Sequence, residues 1–197
     1  MKKLYYNKYT RATRVRWLIE EAGLDVEIVN VDLAAGEHKA PAYLKVHPLG
    51  KVPALRDGDR TIIESGAITM YLADGTAFAP AVGTPARGDY YQWCFYAVAS
   101  LEGPVGAYFY ENRKPEADRN ATVLENARRD FGSVAAPLEL ALQGKTWLVD
   151  DTFSAADILV GSIVAWAKSL GLLEGHPALL DYAARCAARP AFSRART

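Results

Sequence analysis

The spacing of apolar positions divides the chain into two regions of different character. Lys3 to Tyr6 reads as a short strand. From Arg11 the period changes: Val15, Leu18, Ile19 and Ala22 fall at i, i+3, i+4 and i+7, one face of a helix, and Gly23 supplies its stop. Val26 to Val31 is a β-branched run and predicts a second strand, parallel to the first through a right-handed crossover. Ala40 to Val46 can hold a short helix that ends before Pro48. A hairpin follows, from Val52–Leu55 through Asp57-Gly58-Asp59 to Thr61–Ile63. Ser65 to Ala73 is helical, with Ile68 and Leu72 on one face. The predicted order is β-α-β-α-β-β-α.

The segment DGTAFAPAVGTP, Asp74 to Pro85, holds two prolines and two glycines and reads as a linker. Beyond it the chain is strand-poor. Arg87–Tyr110, Ala117–Leu142, Ala155–Leu172 and Ala178–Ala188 all read as helices. The fold class expected is α/β plus all-α: a small domain over 1–75, a linker over 76–85 and a helical domain over 86–197.

Composition narrows the function without naming it. Lysine plus arginine and aspartate plus glutamate both number 23, so neither nucleic acid nor an anionic membrane is expected as the main partner. The two cysteines, Cys94 and Cys186, form no C-x-x-C pair, so neither a disulfide framework nor a cysteine-built metal site is expected. Both read as buried and inert. The N-terminal MKKLYYNKYTRATR lacks a signal peptide's apolar core, and no run approaches the roughly 18 apolar residues of a membrane span. A soluble, cytoplasmic protein is expected.

Two local signals carry more. In DDTFSAADILVGSIVAWA, Ser154 is an N-cap and Asp157 can reach back to its backbone, while Phe153 and Ile158 are placed as a hydrophobic staple. That motif is structural. In GKVPALRDGDRTIIES, Pro53 sits inside a predicted strand, where it can give no ladder hydrogen bond. A cis Val52–Pro53 bond in a tight turn accounts for it and leaves the Val52 backbone free to pair with an extended ligand. Glu64 and Ser65 follow at a helix N-terminus, where free N–H groups suit a carboxylate and Glu64 suits an ammonium group. The implied ligand is a small peptide with a free α-amine and α-carboxylate at one end.

V-P-A-L followed by E-S, after a β-α-β start, resembles the thioredoxin-like domain of the cytosolic glutathione transferases. F-S-A-A-D and the terminal ARPAFSRA are similar to motifs of that family's helical domain, so the resemblance spans nearly the whole chain. It implies that Val52, held by Pro53, binds the cysteinyl backbone of glutathione, and that Glu64 and Ser65 bind its γ-glutamyl end. It brings His38, Lys39 and Lys51 toward the glycyl carboxylate. In the family a Tyr, Ser or Cys after the first strand donates a hydrogen bond to the thiolate, which is the nucleophile. Here that segment is YYNKYTRATR. Thr10 takes the place of the serine of many bacterial members, Tyr6 lies near that of the tyrosine, and Asn7 and Tyr9 are further candidates. Thr10 suits a capping role equally well. No cysteine occupies the segment, which argues against the branch that forms a mixed disulfide with glutathione and runs thiol reductions.

The resemblance also implies a second substrate bound between the domains. DYYQWCFYAVASLEGPVGAYFYE offers an aromatic wall, from which Tyr96, Tyr108 and Phe109 are the candidates for a flat or apolar electrophile. The function implied is conjugation of the glutathione thiolate to a small electrophile, by a homodimer, with no metal. A dehalogenase, isomerase or peroxidase on the same fold, or a non-catalytic binding protein, are the alternatives.

Overall fold

Alternation and helical periodicity in the first eighty residues become a four-stranded sheet with helices. The computed structural model describes residues 1–197, which divide into two units: Met1–Ala79 with Arg189–Thr197, and Pro80–Ala188. The first unit runs β1 (Lys2–Tyr6), α1 (Ala12–Ala22), β2 (Val26–Asn30), a 3₁₀ turn at Glu37–Lys39, α2 (Pro41–Leu44), β3 (Ala54–Asp57), β4 (Arg60–Ile63) and α3 (Ser65–Ala73). The strand order is β2-β1-β3-β4, with β1 parallel to β2 and the other two pairs antiparallel. This is a thioredoxin-like arrangement. Val15, Leu18 and Trp17 of α1, Ile68 and Leu72 of α3, and Leu4, Tyr6 and Leu55 of the sheet are buried. Each such side chain contributes about 1.5–3 kcal/mol relative to exposure. Gly23 ends α1 in the left-handed conformation at φ +59 and donates its N–H to the Ile19 carbonyl.

The hairpin differs from its sequence pattern in two details. Its strands stay paired as far as Asp57 and Arg60, so the turn is Gly58-Asp59 alone, with Gly58 at φ +57. The ladder begins at Ala54, one residue after Pro53, so the proline removes no ladder bond. The Val52–Pro53 bond is cis.

The second unit is helical: α4 (Pro85–Phe95), a π-helical turn at Tyr96–Leu101, α5 (Glu102–Asn112), α6 (Ala121–Ala141), α7 (Ala155–Ser169) and α8 (Pro177–Ala187). The helix expected from Ala117 starts at Ala121, because the Asn120 side chain accepts the Thr122 and Val123 N–H groups as its cap. Most of α7 is buried, and its start is the capping box expected from the sequence. Ser154 Oγ accepts the Ala156 N–H, and Asp157 accepts four donors: Ser154 N–H, Ser154 O–H, Leu148 N–H and Tyr182 O–H. Burial outweighs those bonds and pushes the Asp157 carboxyl up to about 6.

A ninth helix, α9 (Pro190–Arg194), follows where the sequence pattern ends at Ala188, and it belongs to the first unit. Arg189 forms a bidentate pair with Glu21 of α1 (2.6 and 2.9 Å). Phe192 meets Trp17 edge-on at 4.9 Å, and the Tyr6 hydroxyl donates to the Ala195 carbonyl (2.9 Å). No helix is long and apolar enough to cross a membrane.

Candidate functional site

Strand register decides which parts of the first unit meet. Tyr5 pairs with Ala54, and Ala54 with Ile63. The end of β1, the start of β3 and the end of β4 therefore share one end of the sheet. Val52-Pro53, the loop from Asn7 to Arg11, and Glu64-Ser65 are delivered there together. No hydrogen bond within the chain engages the N–H or C=O of Val52, so an extended peptide can pair with it as an added strand.

At the α3 N-terminus no side chain caps the helix. The first helical bond runs from the Ile68 N–H to the Glu64 carbonyl (2.9 Å), which leaves the Ser65, Gly66 and Ala67 N–H groups ahead of it without an acceptor. Ser65 is buried, and its Oγ makes no hydrogen bond within the chain. Glu64 is exposed and held at φ +71, a strained conformation for a residue with a side chain. Open N–H groups, a free hydroxyl and a carboxylate side by side can receive a carboxylate and an ammonium from one ligand.

The loop before Val52 is fixed from several sides. The Tyr43 hydroxyl donates to the Lys51 carbonyl (2.6 Å), and Tyr43 packs against Tyr5. His47 is buried; its Nδ1 accepts the Leu49 N–H (3.3 Å) and its carbonyl accepts the Gly50 N–H (2.7 Å). Burial lowers the His47 pKa, against the pull of Glu64 and with the push of Lys51. Gly50, at φ +58, lies so close to the 3₁₀ turn that a Cβ would stand 2.5 Å from the His38 carbonyl oxygen. This approach brings Lys39 against the loop, where its Nζ donates to the Leu49 carbonyl (3.3 Å). His38 is half-buried with Nδ1 unpartnered in the chain, and Lys51 is exposed.

The β1–α1 loop disposes of its hydroxyls locally. Thr10 Oγ1 donates to the Asn7 carbonyl (2.6 Å) and accepts the Ala12 N–H (3.1 Å), so its proton is engaged and its oxygen caps α1. Tyr6 is buried, its hydroxyl given to Ala195. Asn7 donates from Nδ2 to the Val31 carbonyl (2.9 Å), with a second N–H in reserve.

Comparison with known proteins shows the family. The family model described as "Glutathione S-transferase, N-terminal domain" matches residues 1–74, and "Glutathione S-transferase, C-terminal domain" matches residues 98–190. The chain belongs to the glutathione S-transferase family. It is 31% identical to glutathione S-transferase 3 of Zea mays, over 92% of this chain and 86% of that one. It is 29% identical to the disulfide-bond oxidoreductase YfcG of Escherichia coli K12, over 98% and 93%. Among solved structures it resembles glutathione transferase URE2P6 of Phanerochaete chrysosporium in complex with oxidized glutathione, at TM-score 0.87 and 28% identity, covering 98% and 94%.

The aromatic candidates of the helical unit already have partners within the chain. The Tyr96 hydroxyl donates to the Val134 carbonyl (2.6 Å). Tyr108 is buried and its hydroxyl accepts from Arg128 (2.6 Å). Phe109 is half-buried, edge-on to Trp166 at 5.2 Å. Cys94 and Cys186 are buried and form no disulfide, and burial pushes the Cys94 thiol up to about 12, far from a reactive thiolate. His47, Tyr43 and Gly50, which hold the Val52 loop, escaped the sequence reading. The H-P-L-G run ahead of Val52 was the available signal for two of them.

Proposed function

We propose that this protein binds glutathione along Val52 and the α3 N-terminus and joins its sulfur to a small apolar or aromatic electrophile. The observation that carries the reading is the uncapped start of α3 beside the unpaired Val52 backbone. The γ-glutamyl carboxylate is received by the α3 N–H groups and Ser65 Oγ, its ammonium by Glu64, and the cysteinyl backbone by Val52. His38, Lys39 and Lys51 supply cationic or donor groups for the glycyl end. The thiol proton leaves to solvent, the thiolate attacks the electrophilic carbon, and the leaving group departs with its electron pair. Tyr96, Tyr108 and Phe109 are the proposed aromatic contribution to the second substrate's site. A cytoplasmic homodimer is the proposed setting.

A second reading has its own support. A relative of near-full coverage is named a disulfide-bond oxidoreductase, and the Phanerochaete structure holds oxidized glutathione. Two glutathione thiols can reduce a small disulfide to two thiols, leaving oxidized glutathione, without any protein cysteine. The absence of cysteine from Asn7–Thr10 therefore removes a protein–glutathione mixed disulfide there and leaves disulfide exchange open. Incubation with glutathione and a generic aryl halide, read by mass spectrometry, tests the first reading. A glutathionyl adduct with released halide is expected. Oxidized glutathione formed only from a small disulfide, with no adduct, would move the function to the second reading.

A further inference from the structure

The loop that leads to Val52 is tied down by a ring nitrogen. His47 is buried, and its Nδ1 accepts the Leu49 N–H (3.3 Å). Its main chain is held as well: the N–H donates to the Tyr43 carbonyl (2.9 Å) and the carbonyl accepts the Gly50 N–H (2.7 Å). Leu49, Gly50 and Lys51 then run directly into Val52. A neutral imidazole carries one ring proton, so an accepting Nδ1 places that proton on Nε2. An imidazolium donates from both nitrogens. Protonation therefore sets two N–H groups against one another where Leu49 had a hydrogen bond, and the loop has to move away.

The surroundings keep the ring neutral. Burial lowers the His47 pKa; Glu64, at the start of α3, pulls it up less strongly, and Lys51, on the same loop, adds to the lowering. On α2, burial pushes the Tyr43 phenol up to about 12, so it stays neutral. On the 3₁₀ turn, the Lys39 ammonium is given to the Leu49 carbonyl (3.3 Å), and the His38 carbonyl lies against Gly50. We propose that His47 is a positioning residue of the glutathione site: as a neutral acceptor it holds Leu49–Lys51 in the shape that offers Val52 to the cysteinyl backbone, and acid releases the loop and the ligand with it. This rests on the glutathione site proposed above. The binding-competent protein has the unprotonated ring, so affinity falls as pH falls. Glutathione itself is silent over that range, because its α-carboxylates ionise near about pH 3.5 and its amine and thiol near about pH 8. His38 acts with the opposite sign, because a charge gained there favours the glycyl carboxylate.

The test is calorimetric titration of glutathione into wild type, His47→Asn and His47→Phe, from about pH 7.5 down to about pH 5. Urea unfolding of the same samples shows which are folded. Asparagine sets an acceptor oxygen where Nδ1 stands and has no proton to gain, whereas phenylalanine fills the ring's space and accepts nothing. Wild-type affinity is expected to fall about tenfold over that range. His47→Asn keeps the neutral-pH affinity of wild type and holds it in acid. His47→Phe binds about tenfold more weakly than wild type at neutral pH, with no further loss in acid. The wild-type and His47→Asn profiles decide the matter even where His47→Phe fails to fold. Wild-type affinity that ignores pH, or a parallel fall in His47→Asn, overturns the proposal and leaves the glutathione site standing. Weak neutral-pH binding by His47→Asn overturns its acceptor premise. Wild type that binds no glutathione at any pH removes the site itself, and the proposal with it.

Discussion

The starts of α7 and α3 present the same chemistry in opposite states. Both are helix N-termini with a serine and an acidic residue close by. At α7 the serine and the acid are both engaged inside the protein: Asp157 takes four hydrogen bonds and Ser154 caps the first turn. At α3 no side chain caps the helix, the Ser65 hydroxyl is unpaired, and Glu64 holds a strained backbone. The difference lies in order. In F-S-A-A-D the serine precedes the helix and the acid stands three residues on, within reach of the cap. In E-S the acid is the flanking residue and the serine is already helical, so neither can close the end. A closed helix start holds a fold together, and an open one holds a ligand.

Substitutions should separate the two ends cleanly. Asp157→Ala strands the Leu148 and Ser154 N–H groups in a buried site and leaves the Tyr182 hydroxyl only its 3.4 Å bond to the residue-157 carbonyl, and should cost about 3 kcal/mol of unfolding free energy. Urea denaturation measures this, while glutathione affinity stays as in wild type. An unchanged midpoint would mean that α7 does not depend on its cap. Glu64→Gly should act in the reverse sense. Removing the side chain at φ +71 should stabilise the fold by about 1 kcal/mol, while glutathione binding weakens for want of an ammonium partner. If Glu64→Gly instead lowers the midpoint, the strain at α3 is not real and the contrast with α7 loses half its force.

What the sequence revealed was local. The i, i+3, i+4, i+7 pattern of Val15 to Ala22, the Ser154–Asp157 spacing and the V-P-A-L…E-S run each act within a few residues, so a linear reading finds them. The docking of the tail depends on Arg189 meeting Glu21 at a sequence separation of 168, which no local pattern records. The engagement of Thr10 was half legible: the same hydroxyl suits both a cap and a sulfur donor, and the Asn7 carbonyl decides between them in the structure. The positive φ of Tyr9 and Glu64 was not legible at all, because neither is a glycine or an asparagine, the residues that ordinarily signal it. His47 acts through a buried ring nitrogen and its own carbonyl, and lone histidines carry no spacing to mark them.

The measurement that bears most directly on the open end of α3 is calorimetric titration of glutathione into wild type and Ser65→Ala, with urea unfolding of both. Binding by wild type, an affinity about tenfold weaker in Ser65→Ala and equal midpoints are the predicted result. Equal affinity in the two proteins would contradict the account, because the unpaired hydroxyl at the start of α3 would then take no part in holding the ligand.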